Sequence, residues 1–364
     1  MNRPVWNRLR LTLSRTVYAL LAVGLLSIGS SDAAPNQGLK PRRVTEPVRH
    51  DSDDPAIWIN RADPAKSLVL GTDKDSDGAL YAFGLDGKIR HDLTIRGLLR
   101  PNNVDVVYDV PLAGHKVDLA IVAERYAHRL RVFSLPDMRA VDGGGIPVFE
   151  GERARDVMGV AMYVRRSDDT LFAIVSRSDQ FAPRQGYLHQ YRLVDDGTGT
   201  IRGVKVRAFG EWSGKKEIEA LSVDPERGVV FASDETFGIR KYHADPAAED
   251  ADDELAQFGL AGFTRDHEGT AVFRRGRERA LFFVSDQQAG ELRVFELDAS
   301  PEAPHRHVLV GRVRISAQET DGIDLVSAAL PGFPGGLLVA MSTDRTYHFY
   351  DLDDILRAIE PARE

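Results

Sequence analysis

The chain has no cysteine in 364 residues. This excludes disulfides, thiolate metal sites, cysteine nucleophiles and a thiol-phosphate intermediate together, so the redox compartment has to be read from targeting signals. A basic run is also missing and the formal charge is −8, so the electrostatic footprint of a nucleic-acid binder is absent. No apolar stretch reaches the ~20 residues a membrane span needs. There is no Gly-x-Ser-x-Gly elbow, no Gly-x-x-x-x-Gly-Lys loop and no His-x-x-x-His spacing. A hydrolase made from this chain would therefore activate water with a metal rather than use a side-chain nucleophile.

The first residues supply the targeting signal. Arg3, Arg8, Arg10 and Arg15 precede an apolar stretch over residues 17–29, and Ser31-Asp32-Ala33 follows. This is the layout of a cleavable signal peptide over residues 1–33. It predicts a secreted or periplasmic protein that is not membrane-embedded. Residues 34–48, with Pro41 and Pro47, read as a linker or an N-terminal arm tied to the edge of the domain that follows. That domain spans residues 49–360 and is expected to be monomeric. The leader is basic, so the mature chain is more acidic still, which suits a protein that binds cations.

Six apolar runs recur roughly every 50 to 58 residues, at 68–74, 119–125, 171–177, 229–235, 281–287 and 337–344. Each is followed by aromatics: Tyr81 and Phe83, Phe133, Tyr187 and Tyr191, Tyr242, Phe295, then Tyr347 and Tyr350. Such a period holds several short strands, and the economical fold is all-β, a six-bladed β-propeller. Two segments read as short helices: residues 247–255 as a surface excursion, and residues 352–359 as an element that could close the ring.

A further short strand precedes each apolar run, and most of these begin with acids or amides: Asp53-Asp54, Asn102-Asn103, Glu217-Ile218-Glu219, Asp266-His267-Glu268 and Asp321-Gly322-Ile323-Asp324. Blade three alone starts without an equivalent beyond Asp156. Strand alternation puts Glu217 and Glu219 on one face. Radial closure would crowd the acids around one axis, where they would repel and take up protons unless a hard cation joined them. The alternative for any single acid is a turn residue facing water. Lys74, Arg125 and Arg177 end the same strand in consecutive blades, suited either to phosphate oxygens or to ion pairing with neighbouring acids. Asp73-Lys74-Asp75-Ser76-Asp77-Gly78 opens like a calcium loop but has Gly84 where the final glutamate would stand, and reads as a hairpin. His267 should be packed or exposed rather than a ligand, and His305 with His307 form a surface pair in a polar loop.

At these residues the chain resembles the β-propeller phytases, calcium-dependent phosphatases of myo-inositol hexakisphosphate. The matching segments are Asp53–Trp58, Asn102–Asp105 with Tyr108, Ile218-Glu219-Ala220, Ser233-Asp234-Glu235, Asp266–Gly269, Val284–Gln287 and Thr320–Asp324. The resemblance implies several calcium ions held by the carboxylates of Asp53, Asp54, Glu219, Glu235, Asp266 and Glu268, the amide of Gln287 and the carbonyls of Pro55 and Val104. It implies phosphate contacts from Lys74 and Arg125, with Arg177 one residue from a further family cation, and a catalytic group of Glu219, Asp266, Glu268 and Asp324. In that family, bridged calcium ions hold the water that attacks phosphorus, and a neighbouring subsite grips an adjacent phosphate.

The chain departs from the family pattern at Met158, where a tyrosine is expected, and at Ser178, where a lysine is expected. It also departs at Ala220 and in the 341–346 segment. The reading is a secreted calcium-dependent phosphomonoesterase acting on phytate, with a phosphorylated small molecule as its partner and no nucleic acid. Its rivals are a calcium-dependent propeller hydrolase of a lactone or another sugar phosphate, and a calcium-stabilised binding propeller without turnover.

Overall fold

The apolar runs are the second strands of six antiparallel sheets, each sheet one blade of a six-bladed β-propeller. The computed structural model describes residues 38–362 apart from 179, 277–278 and 298–301. The expected signal peptide and the first residues of the arm lie outside the described residues. Blade one runs Ser52–Trp58, Leu68–Asp73, Gly78–Gly84 and Ile95–Leu98, from the innermost strand outward. The other innermost strands are Pro101–Leu112, Val157–Arg165, Ile218–Asp224, His267–Arg275 and Ile323–Val326. Each contacts the innermost strands before and after it, and the sixth returns to the first, which closes the ring. Among the described residues no helix is long and apolar enough to cross a membrane.

Between each pair of neighbouring blades lies one apolar layer. Val69 packs with Val339, Met341 and Tyr347 of blade six, whereas Leu68 and Leu70 pack with Ala120, Val122 and Phe133 of blade two. Both faces of the second strand are buried, which is why these runs are continuously apolar rather than alternating. The recurrent aromatics fill the same layers: Tyr81, Phe83 and Tyr347 between blades six and one, Tyr187 and Tyr242 between three and four. Each fully buried ring of this kind contributes about 1.5–3 kcal/mol.

The ring is closed by the N-terminal arm. Arg43–Val44 pairs with Thr346–Asp351, Arg43 opposite Phe349 and Val44 opposite His348, as the fourth strand of blade six. The expected C-terminal helix exists as Leu352–Arg357, capped by the Asp351 carboxylate, but it does not close the ring. An edge strand leaves backbone groups that only another strand can pair along their length. After the helix, Glu360–Pro361 adds a fifth strand to blade five against Leu309–Arg314.

The second expected helix is absent. Residues 247–253 form successive turns, with Asp245 accepting the Ala247 N–H at 3.0 Å, and Glu254–Phe258 is the outer strand of blade four. The acidic stretch carries no apolar stripe to bury, and aspartate competes for local backbone donors. The segment from Asp73 to Gly78 is the hairpin turn of blade one, with the Asp73 carboxylate taken by the N–H groups of Asp51 (2.7 Å) and His50 (3.1 Å). His305 is exposed, but His307 is half-buried and packs on Phe258, ring centroids 4.6 Å apart.

Candidate functional site

Five innermost strands carry an irregularity at the same place. Ser52 pairs with Asp73 and Pro55 with Gly71, so Asp53 and Asp54 together oppose Thr72. Asn102-Asn103, Met158-Gly159, Glu219-Ala220 and Glu268-Gly269 are set in the same way. Each is a β-bulge, which breaks strict alternation and re-aims a side chain at the end of a strand. The bulges bring the acids together where simple alternation would have kept them in rows. In blade six, Asp321-Gly322 falls at the same phase, with the Gly322 carbonyl accepting the Met341 N–H.

The first bulge residues form a network around one mouth. Asn102 Nδ2 donates to Asp53 (3.1 Å), and Lys74 Nζ contacts both Asp53 (2.9 Å) and Asp321. Gln287 Nε2 donates to Asp321 (2.5 Å) and Glu268 (3.2 Å). Gln288 Nε2 donates to Asp266 (3.0 Å), and Lys216 Nζ contacts Glu235 and, at 3.3 Å, Asp266. Two groups of acids, Glu217–Glu219–Glu235 and Glu235–Asp266–Glu268, each place one oxygen per residue within 4.8 Å of one another and could hold a metal ion.

Burial pushes Glu219, Glu235, Glu268 and Asp53 above the usual carboxylate range, and neighbouring acids add to the shift. Burial opposes the charge of Lys74, yet Asp53 and Asp321 outweigh it and raise its pKa.

A second acidic set lies deeper, along a channel cavity of about 320 Å³. Asp54 accepts the Val104 N–H (3.0 Å), Asp105 the Met162 N–H (2.7 Å) and Asp324 the Ile57 N–H (2.7 Å). Each carboxylate thus staples its blade to the next. Burial raises Asp105 to about 7 and Asp324 to about 6. Pro55 and Val104 line the same channel.

The expected site residues therefore divide. Asp53, Glu219, Glu235, Asp266, Glu268 and Gln287 meet at the mouth, whereas Asp54, Pro55, Val104 and Asp324 belong to the channel. Asp324, expected in the catalytic group, has its oxygens occupied by the N–H groups of Ile57 and Leu325. It lines the channel beside Asp54 rather than joining the acids at the mouth.

Lys74 and Arg125 reach the mouth; Arg177 does not. The Arg177 side chain is 0% exposed, paired with Glu152, bonded to the carbonyls of Tyr187 (3.1 Å) and Gly186 (3.0 Å), and stacked over Phe149. Strand alternation explains the correction: Lys74 and Arg125 follow Asp73 and Glu124, and the residue in their phase in blade three is Ser178. Arg125 donates to Ser178 Oγ (2.7 Å) and lies against the Met158 sulfur (3.5 Å), while its buried Nε makes no hydrogen bond and lies 3.7 Å from the Asp156 carboxylate.

Arg125 and Ser178 border a cavity of about 500 Å³ with Trp212, Lys215, Lys216 and Glu217. His267 is packed: its Nδ1 bonds Ser233 Oγ at 2.9 Å and its ring lies on Phe263. Asp321 and Asp105 were missed as site residues. Asp321 could have been found, since it precedes Gly322 as Glu268 precedes Gly269.

Fold and mouth together define a propeller whose axial site gathers acids that could receive metal, beside a cavity edged by cations. A family model described as Phytase matches residues 9–349. Over 307 residues, 81% of this chain and 76% of the relative, the sequence is 28% identical to the 3-phytase of Bacillus subtilis (strain 168). Among solved structures, Kuenenia stuttgartiensis hydrazine synthase superposes with a TM-score of 0.51 at 13% identity, covering 82% of this chain and 83% of that one. That last likeness is one of fold alone. The chain belongs to the phytase family, as a divergent member, and is a phosphoric monoester hydrolase.

Proposed function

We propose that the protein is a calcium-dependent phytase, exported by its N-terminal leader, that releases phosphate from myo-inositol hexakisphosphate. The observation that carries this reading is the pair of three-acid groups sharing Glu235 at the mouth, next to the cavity that Arg125 borders. The donor set is all oxygen: carboxylates, the Gln287 amide and the Asn102 Oδ1, a buried acceptor without a hydrogen-bond partner. No histidine nitrogen or thiolate belongs to either group, and such donors suit calcium better than zinc or copper. Magnesium, which demands tight octahedral geometry, fits less well.

Glu219, Glu235, Asp266 and Glu268 would hold the ions at the mouth, with Asp53 and Gln287 beside them; Asp54 and the carbonyls of Pro55 and Val104 would hold one in the channel. Bound calcium supplies neutralisation of the phosphate charge and a lowered pKa for the attacking water. The chain's own groups do the rest. Arg125, held only loosely by Asp156 at 3.7 Å, would offer its guanidinium to phosphate oxygens, and Lys74 offers charge between Asp53 and Asp321. The buried acids keep the mouth hostile to a bare anion until they are neutralised. Water oxygen would bond to phosphorus as the P–O ester bond breaks, and a water proton would go to the departing inositol oxygen, leaving inorganic phosphate and a lower inositol phosphate.

The test is phosphate release from phytate by the purified protein in calcium, in magnesium and in excess chelator. Release that requires calcium is expected. Equal release in chelator, or none in calcium, would refute the proposal.

A further inference from the structure

Lys216 occupies a place that the blade scaffold does not require. Its ammonium contacts Glu235 and lies 3.3 Å from Asp266, so it bridges two acids that belong to one of the three-carboxylate groups. The backbone carrying it is pinned. Trp212 Nε1 donates to the Lys216 carbonyl at 2.5 Å, Ser213 bonds the Asp234 carboxylate through its N–H (2.8 Å) and its hydroxyl (2.7 Å), and Glu235 N–H donates to the Glu217 carbonyl at 3.0 Å.

The side chain is not pinned in the same way. It is 45% exposed, against 17% for Lys74, which is enclosed between Asp53 and Asp321. A lysine stem has four rotatable carbons and a point charge at its tip. On its free side lies the cavity bordered by Arg125, Ser178 and Lys215.

Two physical demands meet here. A divalent cation taking the oxygens of Glu235 and Asp266 would repel an ammonium held by the same oxygens. The adjoining cavity, meanwhile, has Ser178 and Gln180 on its blade-three side, neither of them a cation, and includes the carboxylates of Asp156 and Glu217. Lys215 also borders it, but its ammonium is bonded to the Thr236 carbonyl at 3.0 Å, so anion binding there calls for more positive charge than Arg125 provides against these two acids.

Resting on the calcium-dependent phosphatase reading, we propose that Lys216 is a displaceable counter-ion. It neutralises Glu235 and Asp266 in the metal-free protein, yields them to calcium, and turns into the adjoining cavity to bind a substrate phosphate. Loading of metal and gain of phosphate affinity are thereby coupled through one side chain.

The test is Lys216→Met, which keeps the stem and removes the charge. Calcium titration by calorimetry without substrate should show affinity about tenfold tighter than wild type, since a charge-assisted competitor is gone. At saturating calcium, inorganic phosphate binding should weaken about tenfold, and KM for phytate should rise while kcat changes little. Melting should fall in chelator but not in saturating calcium, whereas a purely structural ion pair would lower it in both. Lys216→Arg, retaining charge, should keep the wild-type calcium affinity. Unchanged or weaker calcium binding in Lys216→Met overturns the proposal, as does unchanged phosphate binding. If the wild type releases no phosphate from phytate, the functional reading fails, yet the calcium and inorganic phosphate titrations still decide the role of Lys216.

Discussion

Gly159 offers a direct test of how the bulges build the mouth. It is the second bulge residue of blade three, and a Cβ there would lie closer than 3.0 Å to the Glu219 carbonyl oxygen and 2.9 Å from Ser176 Oγ. Neither neighbour can yield cheaply. The Glu219 carbonyl is backbone at the centre of the blade-four bulge, and Ser176 Oγ already accepts from Gly159 N–H (2.8 Å) and donates to the Ile218 carbonyl (2.6 Å). The backbone at Gly159 has an ordinary φ, so alanine adds no torsional strain and the effect is one of contact alone.

Restoring normal separation requires Glu219 to retreat by about 1 Å, and overpacking of this sort costs about 1–3 kcal/mol. For a domain of roughly 330 residues, that lowers the melting temperature by about 1–4 °C. The larger effect falls on activity, because displacing a site group by about 1 Å can cost on the order of a hundredfold. Gly159→Ala should therefore bind calcium more weakly and release phosphate from phytate about a hundredfold more slowly, while remaining folded by circular dichroism. Wild-type turnover together with wild-type calcium affinity would show that Glu219 does not depend on this contact, and the account of the bulges would fail.

Two further outcomes follow from the same geometry. In chelator, Asp105 and Asp324 hold protons that the unfolded chain has released, because burial raises them to about 7 and about 6. The metal-free melting temperature should thus fall as pH rises from about 4 to about 7, and saturating calcium should remove or reverse that slope; a metal-free protein that gains stability across this window would contradict the burial argument. Arg125→Ala should weaken inorganic phosphate binding about tenfold to 150-fold with little change in melting, whereas Arg177→Met should lower melting by roughly 5–7 °C and leave KM for phytate unchanged. The reverse pattern would exchange the roles assigned to the two arginines.

The propeller was legible because its signal is repeated. A second strand buried on both faces must be apolar throughout, as Leu68, Val69 and Leu70 are, and six such runs at one period leave few architectures. The arrival of Glu219, Glu235, Asp266 and Glu268 at one mouth was legible for the same reason. What strand logic could not show was the bulge, which depends on one extra residue against the second strand and carries no fixed sequence mark. Without it, Asp53 and Asp54 look equivalent, though one faces the mouth and the other the channel. The same blindness to depth hid that Asp324 lines the channel with Asp54 and not the mouth. The end of blade four was misread because an acidic, proline-free stretch satisfies a helical pattern as readily as a turn and an edge strand. Lys216 left no signal at all, since its partners lie 19 and 50 residues away and meet it only after the 212–217 loop folds back.

Blade three shows how one inversion shapes the whole site. In blades one, two, four and five the second strand ends on an acid, Asp73, Glu124, Asp234 and Asp286, and each accepts backbone N–H groups from the preceding segment. In blade three that place belongs to Arg177, and the acid, Glu152, has moved to the preceding segment. Charge is conserved within the blade, but the ring position next to it is Met158 rather than a carboxylate or an amide. The mouth is polarised as a result. Acids crowd the side of blades four, five, six and one, where two three-acid groups could hold a metal ion, while blades two and three offer Arg125, its Nε 3.7 Å from the Asp156 carboxylate. On the proposed calcium-dependent reading, a polyphosphate entering such a mouth would meet two unlike halves, one suited to activating water through metal and one suited to gripping an adjacent phosphate. Its orientation follows from that asymmetry and not from any single contact.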